Sequence, residues 1–187
     1  TLVSYAVGCG DCTCVISPEF KKAGSKVVLI KPEYAKNGLP SVQSVKANIA
    51  LVSELIKKGK VLSAYTPTYG GVAEGIMKMS LGNRIGFTYD DGVSLDEIFG
   101  YLYGAFILEL DCTCDIGKTL GYTTESYSLE YKGEKICMCT VEQIYENELE
   151  DVYSCNIPFE NKDIPAYEYK AQSRRTAKIG IEKPKFL

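Results

Sequence analysis

Apolar and polar positions along the chain fall into two kinds of repeat, one typical of strands and one typical of helices. Residues 2–7 alternate and residues 27–30 form a short continuous apolar run, so we predict a strand in each segment. Between residues 41 and 58 the apolar side chains recur at helical spacing and make one face, formed by Val42, Val45, Ile49, Val52 and Ile56. We therefore predict a helix there, with Ser41 capping its start and Gly59 its end.

The same patterns continue beyond this helix. Further strands are predicted over residues 61–65, 84–89 and 105–110, and further helices over residues 72–81 and 95–100, the second of them capped by Ser94. Residues 117–138 predict short strands or a hairpin, with Lys132 and Gly133 at its turn. Thr140 is expected to cap another short helix that runs to Glu146.

Strands and helices that mix without strict alternation indicate an α+β (mixed α/β) fold. We expect one mixed sheet with the helices of residues 41–58 and 72–81 packed on one face. The turn over residues 66–71 is expected at a sheet edge. Near its C-terminus the chain becomes polar and irregular. The expected organisation is therefore a lobe over residues 1–155 and a linker over residues 156–187.

Composition and charge narrow the class of protein. The chain has 187 residues, of which 45% are hydrophobic and 24% charged, as in an ordinary soluble globular domain. Its net charge of −3 disfavours a nucleic-acid partner, which would require a basic face. No apolar run approaches the roughly 18 residues that a membrane helix needs, and no signal peptide is recognisable. We therefore expect a cytoplasmic protein without a nucleic-acid or membrane partner.

Histidine and cysteine content bears on the chemistry. The chain contains no histidine, which excludes Ser–His–Asp and Cys–His catalysis within it. Its eight cysteines are expected to be reduced, metal-free thiols that pack as small apolar side chains. The alternative is a redox or zinc-binding module centred on Cys9 and Cys12, which have C-x-x-C spacing.

The turn between the strand over residues 61–65 and the next helix is the strongest candidate binding site. Helix starts carry free N–H groups and a positive dipole end, which favour an anion. Thr66 and Thr68 could add hydroxyl donors, and Gly70 and Gly71 would let a phosphate approach the backbone. The alternative is an ordinary connecting turn. No catalytic residue and no metal ligand are predicted.

Several motifs in and beyond this region resemble a known family. Gly70-Gly71-Val72-Ala73 matches a Gly-Gly-Leu-Ala core, Lys78-Met79-Ser80 matches a Glu-Met-Ala helix end, and residues 83–87 match the strand that follows. In this order they are similar to the C-terminal lobe of the aminoimidazole ribonucleotide synthetase superfamily. Residues 148–153 resemble the exit segment of this lobe in the phosphoribosylformylglycinamidine synthase family, and residues 184–187 resemble the start of the glutaminase domain that follows there.

The resemblance implies one lobe of an ATP-dependent carbon–nitrogen ligase of the glutamine amidotransferase type. Such a ligase of purine biosynthesis converts formylglycinamide ribonucleotide, glutamine and ATP to formylglycinamidine ribonucleotide with Mg²⁺. This lobe would close the cleft over the small-molecule substrate, beside an N-terminal ATP-binding lobe and a glutaminase domain of the same polypeptide. Alone it would be inactive and free of cofactor. A lobe of aminoimidazole ribonucleotide synthetase or of thiamine-phosphate kinase is the alternative within the superfamily.

The chain departs from the family pattern at four positions. Thr66 and Thr68 stand where the family has Asp and Ser before the glycines. Tyr101 and Ala105 stand where it has Glu and Arg after Phe-Gly. Because the synthase contains two such lobes, the sequence leaves open whether this one is the catalytic or the structural copy.

Overall fold

A single sheet organises the part of the chain that the computed structural model describes, which is residues 3–8, 12–111, 114, 116–154 and 168. The chain divides into two units, Thr1–Tyr153 and Ser154–Leu187. Almost all of the second unit lies outside the described residues, so the linker over residues 156–187 stays a prediction. Within the described ranges, no helix is both long and apolar enough to cross a membrane.

In the described part of the first unit there are seven strands and four α-helices. Their bounds are β1 Lys26–Ile30, α1 Val42–Lys57, β2 Val61–Tyr65, α2 Gly71–Leu81, β3 Gly86–Tyr89, α3 Leu95–Phe99, β4 Phe106–Leu110, β5 Lys118–Thr124, β6 Ser128–Tyr131, β7 Glu134–Cys137 and α4 Met138–Asn147. The order across the sheet is β2-β4-β1-β5-β3-β6-β7. β3 and β6 run parallel and the other pairs run antiparallel, so the sheet is mixed. The α+β class and the single mixed sheet are confirmed.

Helices cover both faces of the sheet, and β1 accordingly has apolar side chains that point to each face. Val27 and Leu29 point into a core that α2 and α3 complete with Val72, Ile76, Met79 and Ile98. Val28 and Ile30 point into a second core that Val52 of α1 completes. The prediction that both long helices share one face is therefore wrong: α2 and α3 lie on one face and α1 on the other. The unbroken apolar run of β1 was the signal, since a strand with one wet face alternates.

The predicted ends of α1 are confirmed. Ser41 is its N-cap residue, although the hydroxyl makes no capping bond. At the other end Gly59 has φ +64°, and its N–H donates to the Ile56 carbonyl over 2.9 Å. The Lys60 N–H donates to the Leu55 carbonyl over 3.0 Å, which completes a Schellman motif.

The apolar face predicted for α1 is only partly buried. Val52 is 4% exposed, whereas Val42 is 64% and Ile49 is 48% exposed. The helix thus rests on the sheet through its C-terminal half, where Leu55 and Ile56 also pack against the second core.

The remaining comparisons concern the strand predicted at the N-terminus, the predicted hairpin and the last predicted helix. Residues 3–8 form no strand and are exposed, so the strand predicted over residues 2–7 is wrong over its described part. An alternating pattern needs a neighbouring strand, which the pattern itself does not supply. The predicted hairpin is confirmed, with Lys132 at φ 49° and Gly133 at φ 85° in its turn. α4 begins at Met138, and its N-cap is Cys137 rather than the predicted Thr140, three residues later.

A buried carboxyl group ties the segment before β1 to β4, the second strand from one edge of the sheet. Glu109 in β4 is 0% exposed. It accepts hydrogen bonds from the backbone N–H of Lys21 at 2.8 Å, from that of Lys22 at 3.2 Å and from the Ser63 hydroxyl at 2.8 Å. These donors replace the lost hydration, which is the condition for burying a charge-bearing group.

Candidate functional site

The loops that carry the predicted site meet at one end of the sheet. Antiparallel pairing places Tyr65, at the end of β2, opposite Ile107 of β4. It also places Ile30, at the end of β1, opposite Phe106. The loop after β1, the turn after β2 and the segment that leads into β4 therefore lie side by side.

The turn over residues 66–71 presents two hydroxyls to solvent. Thr66 and Thr68 are exposed, and Pro67 between them is buried. The Thr68 carbonyl accepts hydrogen bonds from the Leu102 N–H at 3.0 Å and from the Gly71 N–H at 3.3 Å. The turn is thus fixed against the segment that follows α3.

Gly71 is required by packing. Its φ is +63°, in the left-handed region that favours glycine. A Cβ at this position would fall well inside contact distance of the Gly100 carbonyl oxygen and close to that of Ile98. α2 begins at this glycine, one residue before the predicted start. The close approach of the two backbones is what the glycine permits.

The start of α2 already holds an anionic group of the chain itself. The Gly70 N–H donates to Glu74 Oε2 over 3.2 Å. The other oxygen of Glu74 accepts from the Lys78 ammonium at 2.5 Å, and this bond raises the pKa of Lys78. An intramolecular carboxylate therefore uses part of the anion-binding capacity predicted for the two glycines. The binding role of Thr66, Thr68, Gly70 and Gly71 stays a prediction, and the two threonine hydroxyls are its most accessible donors.

A cavity of about 360 Å³ lies on the far side of the segment over residues 100–102. Its lining combines apolar, aromatic and charged side chains: Leu29, Lys31, Tyr34, Asp96, Glu97, Tyr101 and Leu102, with Gly38 and Gly100. The Tyr34 hydroxyl donates to the Tyr103 carbonyl over 2.9 Å. Burial is the main cause that raises the pKa of Tyr34, and the nearby Tyr101 is the second cause. Sequence motifs could not have identified Tyr34, because the loop after β1 is remote in sequence from the turn.

The acidic side of this cavity is neutralised in part. The Lys118 ammonium at the start of β5 donates to Glu97, which lowers the pKa of Glu97 to about 2, with a further contribution from the Ser94 N–H. Lys31 is exposed at the other wall. The cavity therefore offers a polar ligand the Lys31 ammonium and the Tyr101 hydroxyl.

The cysteines correct one prediction and leave another untested. Cys114 is disulfide-bonded, so the expectation that all eight thiols are reduced is wrong at this position. That expectation rested on composition, whereas a cross-link depends on proximity in space. Cys9, half of the predicted C-x-x-C module, lies outside the described residues, and Cys12 is an exposed free thiol. Within the described ranges no group of three or more His, Cys, Asp or Glu could hold a metal ion.

The fold is similar to that of solved synthase structures. Phosphoribosylformylglycinamidine synthase II from Thermotoga maritima aligns with a TM-score of 0.54 and 12% identity, over 83% of this chain and 30% of that chain. The T. maritima PurL structure complexed with FGAR aligns with a TM-score of 0.58 and 10% identity, over 84% of this chain and 33% of that one. The structure complexed with ATP gives 0.57 and 12%, over 85% and 32%.

These likenesses concern architecture. The chain spans about a third of the length of the enzymes that it matches. No family model matches the sequence, and no curated protein does. At 10–12% identity the comparison shows that the chain and these synthase structures share a fold.

Proposed function

We propose that this chain is the C-terminal lobe of the ATP-using synthase domain in a phosphoribosylformylglycinamidine synthase of purine biosynthesis. The observation that carries the proposal is the likeness in fold to the T. maritima synthase over more than four-fifths of the chain. The order of the motifs around Gly70-Gly71 supports the same family. The lobe would act within a larger cytoplasmic polypeptide that also carries an ATP-binding lobe and a glutaminase domain.

In this proposal the chemistry is divided between lobes. The described residues offer no cluster of ligands for a metal ion, so they do not fit a magnesium site by themselves. The nucleotide and its Mg²⁺ would be held mainly by the N-terminal lobe. This lobe would bind and orient the ribonucleotide substrate and exclude water from the cleft, which lowers the entropic cost of reaction.

The loop end of the sheet is the surface proposed to face the substrate. Thr66 and Thr68 stand exposed on a turn whose backbone is fixed by the bond from Leu102 to Thr68. A rigid pair of hydroxyls can donate to a phosphate without a large loss of conformational entropy. Glu74 at the start of α2 would limit how closely a second anion approaches the Gly70 amide.

The proposal is tested in the intact enzyme that contains this lobe. The double variant Thr66→Val/Thr68→Val keeps the side-chain shape and removes both hydroxyls. We expect the KM for formylglycinamide ribonucleotide to rise about tenfold with kcat little changed, the loss expected for one or two net hydrogen bonds. Initial rates of amidine formation at varied substrate and ATP measure both constants.

A control variant separates a local effect from a general one. Thr88→Val makes the same chemical change on β3, away from the turn. Its KM should match that of the unmodified enzyme. An unchanged KM for both substrates in the double variant would leave the turn as a scaffold. Absence of amidine formation by the intact unmodified enzyme would overturn the family assignment itself.

A further inference from the structure

Two exposed thiols, with one residue between them, lie where β7 joins α4. Cys137 is the last residue of β7 and the N-cap of α4, and Cys139 lies in the first turn of that helix. Both are free thiols. β7 and β2 are the two outermost strands of the sheet, so this pair lies at the opposite edge from the turn over residues 66–71. The proposed substrate surface therefore does not account for it.

A guanidinium reaches the pair from the segment before β3. Arg84 Nη2 donates to Cys139 Sγ over 3.4 Å. Its Nη1 donates to the Glu142 carboxylate at 2.8 and 3.2 Å, and its plane lies over the Tyr127 ring, 4.3 Å from the centroid. Because the carboxylate and the ring hold the guanidinium in place, its positive charge stays beside the sulfur. The Cys139 sulfur is therefore held by a hydrogen bond from a fixed cation.

The first turn of α4 acts on the other thiol. Three groups lower the pKa of Cys137: first the Cys139 backbone N–H, then the Cys139 thiol, and then the Thr140 N–H. Neither N–H makes a full capping bond to the Cys137 side chain. Arg84 contributes in the same direction. Glu142 and Tyr127 are the other titratable groups at this junction, and the Tyr127 hydroxyl donates to Glu142 over 3.2 Å. The negative charge of Glu142 is thereby directed toward Arg84 and Tyr127.

The surroundings favour thiol chemistry over metal binding. A structural zinc site needs four ligands. Within the described ranges no three His, Cys, Asp or Glu side chains gather as they would around a metal ion. Glu142 is in addition already bound to Arg84. Two neighbouring, accessible thiols beside a fixed guanidinium are instead the arrangement of a dithiol that exchanges with disulfides.

We propose that Cys137 and Cys139 form a redox-active dithiol that a low-molecular-weight disulfide converts reversibly to an intramolecular disulfide. The Cys137 thiolate attacks one sulfur of the small disulfide, whose S–S bond breaks and releases one thiolate. Cys139 then loses its proton to solvent and attacks the Cys137 sulfur, which expels the second thiolate. The protein loses two electrons and the small disulfide gains them. Arg84 is a positioning residue, whose Nη2 donates to the Cys139 Sγ and holds the resolving sulfur in place.

The test uses the whole chain and oxidised glutathione, with cleavage after glutamate. Cleavage at Glu134 and Glu142 releases residues 135–142, which contain these two cysteines and no other. In the native protein this peptide should become lighter by two hydrogens, and dithiothreitol should reverse the change. The reaction should be at least about fivefold faster in the folded chain than in urea, because folding supplies the charge and the helix end.

Single variants assign the roles. Cys139→Ser should accumulate a glutathione adduct on Cys137, because the resolving thiol is gone. Cys137→Ser should gain adduct several-fold more slowly, and Arg84→Gln should slow closure of the native dithiol while leaving its circular dichroism unchanged. A peptide that stays a dithiol under conditions that modify the denatured chain would overturn the proposal. So would equal adduct rates in the two cysteine variants.

Discussion

Gly71 decides how closely α2 approaches the segment after α3. Its left-handed φ and the nearby Gly100 carbonyl act together, because either one alone disfavours a side chain. Gly71→Ala should therefore lower the free energy of unfolding by about 3 kcal/mol, of which roughly 1–2 kcal/mol is the cost of a left-handed alanine. Urea unfolding followed by circular dichroism measures the loss.

Gly59 offers a matched control at the same scale. Its φ is +64°, almost that of Gly71, but a Cβ there would meet nothing within 4 Å. Gly59→Ala should cost only the backbone term, about 1 kcal/mol. Equal losses in the two variants would show that the contact with Gly100 contributes nothing.

Sequence reasoning reaches part of this residue-scale picture. The pair Gly70-Gly71 before a helix predicted the turn, and the structure has a turn there. The contact of Gly71 with Gly100 and the bond from Gly70 to Glu74 were not predictable. The first joins residues far apart in sequence, and the second depends on a rotamer that allows the Glu74 side chain to bend back over its own helix.

At the scale of elements, α3 is a short helix whose start is fixed twice. Ser94 and Glu97 form a capping box, and Lys118 of β5 pairs with the same Glu97 carboxylate. Short helices gain little from propensity alone, so these polar contacts matter for its position. α3 in turn carries residues that line the cavity beside the candidate turn.

The pairing of Glu97 makes acid stability partly dependent on α3. Its pKa is lowered from 4.5 to about 2 in the folded chain, so the stabilisation is present above pH 4.5 and is lost as the pH falls toward 2. After allowance for solvent screening of this partly exposed pair, we expect about 0.5–1 kcal/mol. Glu97→Gln should accordingly lose less stability between pH 5 and pH 2.5, measured by urea unfolding at each pH.

Glu54 provides the comparison for this acid effect. It pairs with Lys58 within α1, and both side chains are largely exposed. Glu54→Gln should leave the acid profile almost unchanged, because exposed pairs of this kind are strongly screened. An unaltered profile in Glu97→Gln would mean that the bridge to β5 contributes no stability.

Elements were predicted best where the pattern was long or continuous. The run over residues 27–30 and the helical repeat over residues 41–58 became β1 and α1 almost to the residue. The face on which each helix packs was not predictable from its own periodicity, since a stripe shows only that a helix has a buried side. For α1 the apolar stripe also predicted more burial than the structure has, because Val42 at the start of the helix is exposed.

At the scale of the whole molecule, the architecture matches about a third of a larger enzyme. We predict that the isolated chain neither hydrolyses ATP nor releases ammonia from glutamine. It has no histidine, and its described residues do not gather a metal site. Phosphate and ammonia release by the purified chain should equal the blank.

A second preparation guards this prediction against contaminating enzymes. The Thr66→Val/Thr68→Val chain, purified in the same way, should also equal the blank. Turnover by the unmodified chain that falls in this variant would contradict the prediction and assign the activity to this lobe. Turnover that is equal in both would point to a contaminant.

The attachment of the β6–β7 hairpin sets an order in which the molecule opens. β1 is paired along its length with both β4 and β5, whereas β6 joins β3 through only Phe87–Leu129 and Thr88–Glu130. The hairpin can therefore separate from β3 in a local fluctuation that breaks fewer strand pairs than global unfolding does, although Leu129 and Tyr131 would leave the edge of the first core. Amide protons of β7 would exchange with deuterium through this small opening, while those of β1 would wait for global unfolding. Amide protons of the same sheet thus differ in their protection from exchange, and Cys137 lies in the less protected part.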